Sequence, residues 1–421
     1  MAQNSTSAVA DRSAESEGLV VQKNLVKVEG LWKLYGENQS LATDAAGASI
    51  TKQEALEKHR TVIALKDVSF SVDRAETFVV MGLSGSGKST LVRCLIRLIE
   101  PTAGRILVEN DDILQYDESQ LVQFRRRKVA MVFQHFGLLP HRRVIENAGW
   151  GLEIQGISKE ERYERTQTAL DLVGLQGWEH AYPRELSGGM QQRVGLARAL
   201  AQDPEIMLMD EPFSGLDPLI RRSMQGELVK LQRDLKKTIV FITHDLHEAL
   251  RLGDRIAIMR DGQVVQIGTP EDIVLNPADE YVEEFTRDIN REEVLTASSV
   301  MDKAEIVLLN SQTPKEALEI LLSRSLDSGC VVNDKGECVG SVTVDEVARA
   351  SKAGSTDLAS AMNGSTKPVS KDTSFGQLIP LSLASDRPIP VVDDDGKLVG
   401  EVHREKLAAG LGSRNHINNV D

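Results

Sequence analysis

The nine residues GLSGSGKST, Gly82 to Thr90, limit the fold of this chain more than any other stretch. They follow the apolar run FVVM and lead into the helical pattern STLVRCLIRLI, so a strand, a tight loop and a helix are expected in that order. Glycines in such a loop let backbone N–H groups close around phosphate oxygens, and the start of the following helix favours anions. The stretch therefore predicts a phosphate-binding loop in an α/β fold with a mostly parallel sheet.

Each residue type in this loop has an expected role toward a nucleotide. Lys88 is expected to reach the β- and γ-phosphates, and the Ser89 hydroxyl is expected to hold Mg²⁺. The other loop residues are predicted to surround the phosphates with N–H groups and hydroxyls: Gly82, Ser84, Gly85, Ser86, Gly87 and Thr90. The loop therefore predicts a nucleoside triphosphate and Mg²⁺ as cofactors.

A second apolar run, EIMLMDE, ends in two acidic residues. Ligands bind at the C-terminal ends of the strands in open α/β sheets, so Asp210 and Glu211 are expected beside the phosphate loop. Asp210 suits a Mg²⁺ ion, and Glu211 suits a general base that polarises an attacking water. Together the two stretches predict a site that hydrolyses a nucleotide.

Length, charge and cysteine usage narrow the class of protein. A chain of 421 residues is too long for one ordinary core and predicts two or three domains. The net charge of −14 argues against a nucleic-acid-binding surface, so no nucleic-acid partner is expected. Three cysteines without metal-site spacing argue against a disulfide framework. Residues 1–25 are predicted to form a disordered tail, and no segment reaches the roughly 18 apolar residues of a membrane span.

The stretch LSGGMQQR opens another predicted helix and offers a second anion site. Ser187, Gly188 and Gly189 supply a hydroxyl and N–H groups, yet one nucleotide cannot easily use two such loops. Here the chain resembles the ATP-binding cassette (ABC) family, whose signature LSGGQ appears with Met190 at its fifth place. The resemblance implies a homodimer of cassettes, in which the signature of one subunit covers the γ-phosphate bound by the other.

Four further residues match marks of the same family in chain order. The resemblance implies that Gln134 meets Mg²⁺ and signals to a membrane partner, and that His244 contacts the γ-phosphate. It also implies that Tyr35 stacks on adenine and that Asp217, in SGLD, lies in a loop crossing the dimer interface. The implied catalytic residues are Lys88, Gln134, Glu211 and His244, and the implied metal ligands are Ser89, Gln134 and Asp210.

The last third of the chain contains an internal repeat. Residues 328–347 and 387–407 each show an apolar strand, an acidic turn with glycine, a second strand and the start of a helix. These units resemble tandem CBS domains. The expected order is a cassette over 26–290, CBS repeats over 297–350 and 360–410, and a tail over 411–421. The cassette is expected to combine a RecA-like P-loop NTPase core, an antiparallel β subdomain and an inserted helical subdomain at about 135–185.

In detail the chain resembles the ATPase subunits of glycine betaine/proline betaine importers. MGLSGSGKSTLVRCLIRLIEPTAG, VAMVFQHFGLLPH and a polar insertion before ALKDVSF carry this resemblance. It implies ATP-driven import of a quaternary ammonium osmolyte through an integral membrane permease, with a periplasmic or lipid-anchored substrate-binding protein or domain. The implied location is the cytoplasmic face of the inner (plasma) membrane, where the chain is peripheral through the permease.

Several alternatives stay open. CBS units that bind adenosine ligands often carry a Thr or Ser and an acid at the start of their last helix. The first repeat has Thr343, Asp345 and Glu346 there and the second has His403 and Lys406, so a charge-reading or packing role is an alternative to adenosine binding. The resemblance also leaves a cyclic dinucleotide or an anionic membrane surface as a partner of the CBS pair. The cargo can be an amino acid or a polyamine. A soluble cassette ATPase of DNA repair or translation and a purely regulatory nucleotide sensor are further hypotheses. The acidic charge and the lack of zinc-binding or coiled-coil inserts argue against the former.

Overall fold

The computed structural model describes residues 24–42, 50–133, 137–362, 367–384 and 387–411. Gln134 and most of both predicted tails lie outside these residues. The first strand begins at Asn24, whose backbone pairs with Asp73, and Leu25 is buried. The predicted N-terminal tail is therefore two residues too long, because an apolar side chain at its end joins the core.

Sixteen strands are described and are numbered here in chain order. They are β1 Asn24–Gly36, β2 Thr61–Asp73, β3 Thr77–Met81, β4 Ala103–Val108, β5 Asp111–Asp112, β6 Val129–Val132, β7 Ile206–Asp210, β8 Thr238–Thr243, β9 Arg255–Arg260, β10 Gln263–Gly268, β11 Val307–Leu309, β12 Ser328–Val332, β13 Cys338–Thr343, β14 Val369–Ser370, β15 Ile389–Val392 and β16 Leu398–Val402.

The α-helices of the described residues are numbered in the same way. They are α1 Lys52–His59, α2 Lys88–Leu95, α3 Glu118–Arg127, α4 Val144–Ala148, α5 Trp150–Ile154, α6 Lys159–Leu172, α7 Gly188–Ala201, α8 Pro218–Leu235, α9 Leu246–Leu252, α10 Pro270–Leu275, α11 Glu280–Thr286, α12 Arg291–Val294, α13 Ala297–Val300, α14 Pro314–Ser323, α15 Val344–Lys352, α16 Phe375–Ala384 and α17 Arg404–Leu411. Short 3-10 turns cover Gln39–Ala42, Ile113–Gln115, Pro183–Glu185 and Leu358–Ala361.

The central sheet has six strands in the order β10-β9-β3-β8-β7-β6. Its neighbouring strands are parallel except for β10, which pairs antiparallel with β9. Every residue of β3, β7 and β8 is buried, as expected for parallel strands that helices cover on both faces. Because these three strands are neighbours, the loops after Met81, Asp210 and Thr243 meet at one edge of the sheet.

Two further regions complete the first part of the chain. A four-stranded sheet in the order β2-β1-β4-β5 is antiparallel and packs a second apolar core with α2. Helices α4, α5 and α6 pack on α7 and form a separate helical layer. Among the described residues, no helix combines the length and the apolar character needed to cross a lipid bilayer.

The last part of the chain contains two small sheets of the same design. In both β11-β12-β13 and β14-β15-β16, the first pair of strands is parallel and the second pair is antiparallel. Val331 faces Gly340 in the first repeat as Val391 faces Gly400 in the second. The structure therefore contains the internal repeat that the sequence predicts.

A buried ion pair joins the two repeats. Glu346, in the first turn of α15, accepts hydrogen bonds from Thr343 N at 3.0 Å and Thr343 Oγ1 at 3.1 Å, and its other carboxylate oxygen pairs with Arg387. The side chains of Glu346 and Arg387 are only 9% and 15% exposed. Since Arg387 belongs to the second repeat, this pair fixes one repeat against the other.

Replacing Glu346 with Ala is expected to lower the free energy of unfolding of the repeats by about 3 kcal/mol, because a buried guanidinium loses its carboxylate partner. Hydrogen exchange of α15 in the full chain measures this loss. Asp394→Ala is the control, since Asp394 is 80% exposed and water screens its pair with Lys371, so little change in stability is expected. Equal effects of the two substitutions would contradict the role given to Glu346.

Candidate nucleotide site

The phosphate loop leaves β3 at Gly82 and enters α2 at Lys88. Lys88 is buried, and its Nζ donates hydrogen bonds to Gly82 O at 2.7 Å and Leu83 O at 3.0 Å. Burial lowers the pKa of Lys88, while the nearby carboxylates of Glu211 and Asp210 oppose that shift. The side chain thus folds back over its own loop, where the predicted phosphate contact requires a cation.

The backbone of this loop depends on glycine. Gly87 has φ +104°, and a Cβ there would lie 2.5 Å from Ala64 O. Ser86 Oγ is buried and has no hydrogen-bond partner among the described residues. Ser84 and Gly85 are exposed, and Thr90 is half-buried. An orphaned hydroxyl inside a loop with an exposed rim fits a polar ligand, because buried polar groups otherwise find a partner.

Ser89 and Asp210 meet across 121 residues of sequence. Ser89 Oγ donates a hydrogen bond to Asp210 Oδ1 at 3.1 Å. Asp210 is buried, and burial raises the pKa of its carboxyl group. A hydroxyl and a carboxylate are oxygen donors that suit Mg²⁺, which commonly takes one or two protein ligands and completes its shell with water and substrate phosphates.

Glu211 and His244 also lie together. His244 Nδ1 is 3.2 Å from Glu211 Oε2, and both residues line a cleft of about 80 Å³. Glu211 has φ +46°, and its backbone is held by Ile242 O, which accepts from Glu211 N at 3.0 Å. A positive φ at a residue other than glycine is strained and is typical of functional sites. The two residues predicted to act on the γ-phosphate are therefore neighbours.

A buried network behind His244 was missed by the sequence analysis. Thr243 Oγ1 donates to Glu248 Oε2 at 2.7 Å and accepts from Asp245 N at 2.9 Å, which fixes the turn that carries His244. Glu248 is buried, and this burial raises the pKa of its carboxyl group. The sequence signal that could have revealed this network is Glu248, an acidic residue among the apolar residues of α9 (LHEALRL).

The signature residues form a second group on the same chain. Ser187 caps α7 and accepts a hydrogen bond from Met190 N at 3.3 Å, and both Ser187 and Gly188 are exposed. A Cβ on Gly189 would lie 2.7 Å from Ile220 Cγ2, so α7 and α8 begin in contact. No hydrogen bond or ion pair within the described ranges joins this group to the phosphate loop.

Asp217 and Tyr35 occupy the remaining predicted positions. Asp217 caps α8, where its Oδ1 accepts from Leu219 N and Ile220 N at 3.1 Å each. Tyr35 lies near the end of β1 and is 43% exposed, with Lys33 Nζ 4.8 Å from the centre of its ring. An exposed aromatic face is available to a planar ligand. Gln134, the remaining predicted ligand, lies outside the described residues.

Comparison with known proteins identifies the family. Residues 65–214 match the family model described as ABC transporter, and residues 297–353 and 358–412 match the CBS domain. A solved dimeric structure of a bacterial ABC transporter cassette is 32% identical, with a TM-score of 0.50 over 58% of this chain and 98% of that one. A second structure of that cassette, in a post-hydrolysis state with ADP and phosphate, has the same score, identity and coverage. These matches confirm the predicted cassette fold followed by CBS domains.

Curated relatives match over nearly the whole chain. The glycine betaine transport ATP-binding protein OpuAA of Bacillus subtilis is 45% identical over 398 residues, 94% of each chain. The glycine betaine/carnitine transport ATP-binding protein GbuA of Listeria monocytogenes is 47% identical over 93% of this chain and 98% of its own. The glycine betaine/proline betaine protein ProV of Escherichia coli is 43% identical over 94% and 99%. The chain therefore belongs to the ABC transporter ATP-binding proteins with tandem CBS domains, in the glycine betaine/proline betaine group.

Proposed function

We propose that this chain hydrolyses ATP to drive import of a quaternary ammonium osmolyte of the glycine betaine class through a separate membrane permease. The observation that carries the proposal is the likeness to glycine betaine transport proteins over 92–94% of the chain, which includes both CBS repeats. The same likeness disfavours a DNA-repair or translation ATPase and a purely regulatory sensor. A different cargo, such as an amino acid or a polyamine, is the remaining alternative.

Lys88, Glu211 and His244 have different proposed roles in ATP hydrolysis. On binding, Lys88 exchanges its two carbonyl contacts for oxygens of the β- and γ-phosphates, and the N–H groups of the loop surround the phosphates. Glu211 takes the proton of a water as that water attacks the γ-phosphorus, and the bond from this phosphorus to the β,γ-bridging oxygen breaks. His244 lies 3.2 Å from Glu211, contacts the γ-phosphate and orients the attacking water.

Ser89 and Asp210 are proposed to hold Mg²⁺, with Gln134 as a third ligand. Their hydroxyl and carboxylate oxygens are donors of the type that this ion prefers. When bound, the ion neutralises charge on the phosphates.

The cassettes are proposed to work as a homodimer. Ser187 and Gly188 are exposed and lie apart from their own phosphate loop, as expected if they cover an ATP molecule held by the other subunit. Gly189 packs the start of α7 against α8, and Asp217 caps α8. The signature residues and the interface loop that contains Asp217 therefore have fixed positions relative to each other. The solved dimeric structure of a similar bacterial cassette supports a dimer.

The remaining partners follow from the transport role. The chain is proposed to lie at the cytoplasmic face of the membrane, bound to the permease, with a substrate-binding protein supplying the osmolyte outside. The CBS matches over 297–353 and 358–412 support the proposed repeats over 297–350 and 360–410, and the ABC transporter match over 65–214 lies within the proposed cassette over 26–290. The CBS pair is proposed to regulate transport through a cyclic dinucleotide or an anionic membrane surface.

Uptake by proteoliposomes tests the proposal. The chain is reconstituted with its permease and substrate-binding protein, and ATP-driven entry of glycine betaine is measured against an amino acid and a polyamine while internal salt is varied. We expect glycine betaine uptake that rises with salt, and a flat response when residues beyond Arg291 are deleted. ATP hydrolysis without glycine betaine uptake would contradict the proposed cargo but not the proposed ATPase activity.

A further inference from the structure

The polar insertion between β1 and β2 has no part in the function proposed above. Within its described residues, α1 is seated on the antiparallel sheet, and Ala55 on that helix is completely buried. Ala55 belongs to a small apolar core of its own, built from Trp32, Leu34, Leu41, Ile63 and, partly buried, Ile50 and Ala103. The insertion is therefore a packed element with a fixed position.

The start of α1 is held on both sides. Thr51 caps the helix, since its Oγ1 accepts from Glu54 N at 3.2 Å while Glu54 Oε2 accepts from Thr51 N at 3.2 Å. Lys66 Nζ donates to Ile50 O at 2.8 Å, and Lys66 N donates to Gly262 O at 2.8 Å. One residue of β2 thus ties the insertion to the β9–β10 turn.

The same turn is bonded to the phosphate loop. Gly262 N donates to Ser86 O at 3.0 Å. Lys52, the first residue of α1, places its Nζ 3.4 Å from Gly85 O and 3.5 Å from Asp261 Oδ1. The insertion therefore places a second cation beside the exposed rim of the phosphate loop.

The contacts of Lys52 are easily exchanged. Its side chain is 30% exposed, and its partner Asp261 is 72% exposed, so water screens their attraction. A lysine ammonium carries three donors on a flexible stem, whereas Gly85 O uses one of them at a long distance. A polyphosphate in the loop would offer this cation a more strongly charged partner.

We propose that Lys52 is a second nucleotide-binding cation, which contacts the polyphosphate of ATP from the side of Gly85 while Lys88 contacts it from within the loop. This inference rests on the proposed ATP site. The buried Ala55 and the bond from Lys66 to Ile50 hold α1 without help from Lys52, so the charge can be removed while the insertion stays folded.

Equilibrium binding of a fluorescent ATP analogue (mant-ATP) to the full chain tests the inference. At about 0.1 M salt, Lys52→Gln is expected to raise Kd about fivefold and Lys52→Glu further, while Lys52→Arg stays within about twofold. At 1 M salt the Debye length falls to about 3 Å, so the difference between Lys52→Gln and the unaltered chain should nearly vanish. Lys58→Gln is the matched control, because Lys58 lies on the same helix with a side chain 64% exposed.

The outcomes separate this inference from the ATP site itself. Wild-type affinity in Lys52→Gln, together with lost binding in Lys88→Ala, would overturn the role of Lys52 and leave the ATP site standing. A loss in Lys52→Gln that salt does not diminish and Lys52→Arg does not restore would show a structural role and would also overturn it. No binding of mant-ATP to the unaltered chain would remove both proposals.

Discussion

Glu211→Gln is expected to lower ATP turnover by about 100-fold or more while ATP still binds. The substitution keeps the shape of the side chain and removes its capacity to take a proton from water. Glu211 directly follows β7 and lies 3.2 Å from His244, and the hydrogen bond from Glu211 N to Ile242 O holds its backbone in place. Steady-state phosphate release measures the turnover, and equilibrium binding of mant-ATP measures the affinity.

Glu205→Gln is the control for this prediction. Glu205 precedes the other end of β7 and pairs with Lys128 and Arg74 at the surface. Glu205→Gln removes the same charge from the opposite end of the same strand, so turnover is expected to stay within about twofold. Unchanged turnover in Glu211→Gln would remove Glu211 from the role of general base.

Gly82→Ala is expected to weaken ATP binding by about 100-fold, since about 3 kcal/mol of strain must be relieved before the loop can close. Gly82 has φ +151°, and a Cβ there would lie 2.2 Å from Met259 O and 2.8 Å from Ser86 Oγ. Met259 O belongs to β9, whose backbone is fixed by pairing with β3 and β10. The loop must therefore move, and it takes with it the carbonyl that Lys88 contacts.

Gly177→Ala is the control that separates the effect of backbone strain alone from the effect of displacing the phosphate loop. Gly177 also has a positive φ, +84°, but a Cβ there meets nothing within 4 Å. We expect a small loss of stability and unchanged mant-ATP binding in this variant. Wild-type binding in Gly82→Ala would show that the loop tolerates a side chain at its first position, against the geometry described here.

Features that depend on neighbouring residues were predictable from the sequence. The apolar run before Gly82 and the helical spacing after it predict the strand, loop and helix of the phosphate site. The polar insertion was expected to contain a short helix, and α1 forms there because Thr51 and Glu54 satisfy its first N–H groups. The paired strands and acidic turns after residue 328 also predict the repeat, because each is formed by residues close together in the sequence.

Contacts between distant residues were decided by the tertiary structure. The sequence predicts that Asp210 lies beside the phosphate loop, but the 3.1 Å contact between Ser89 and Asp210 depends on the strand order β3-β8-β7. The approach of Lys52 to Gly85 depends on how a small apolar core seats α1, and the ion pair between Glu346 and Arg387 depends on how two repeats meet. Local propensity and spacing select the elements and their chemistry, whereas the burial of apolar faces selects which elements become neighbours.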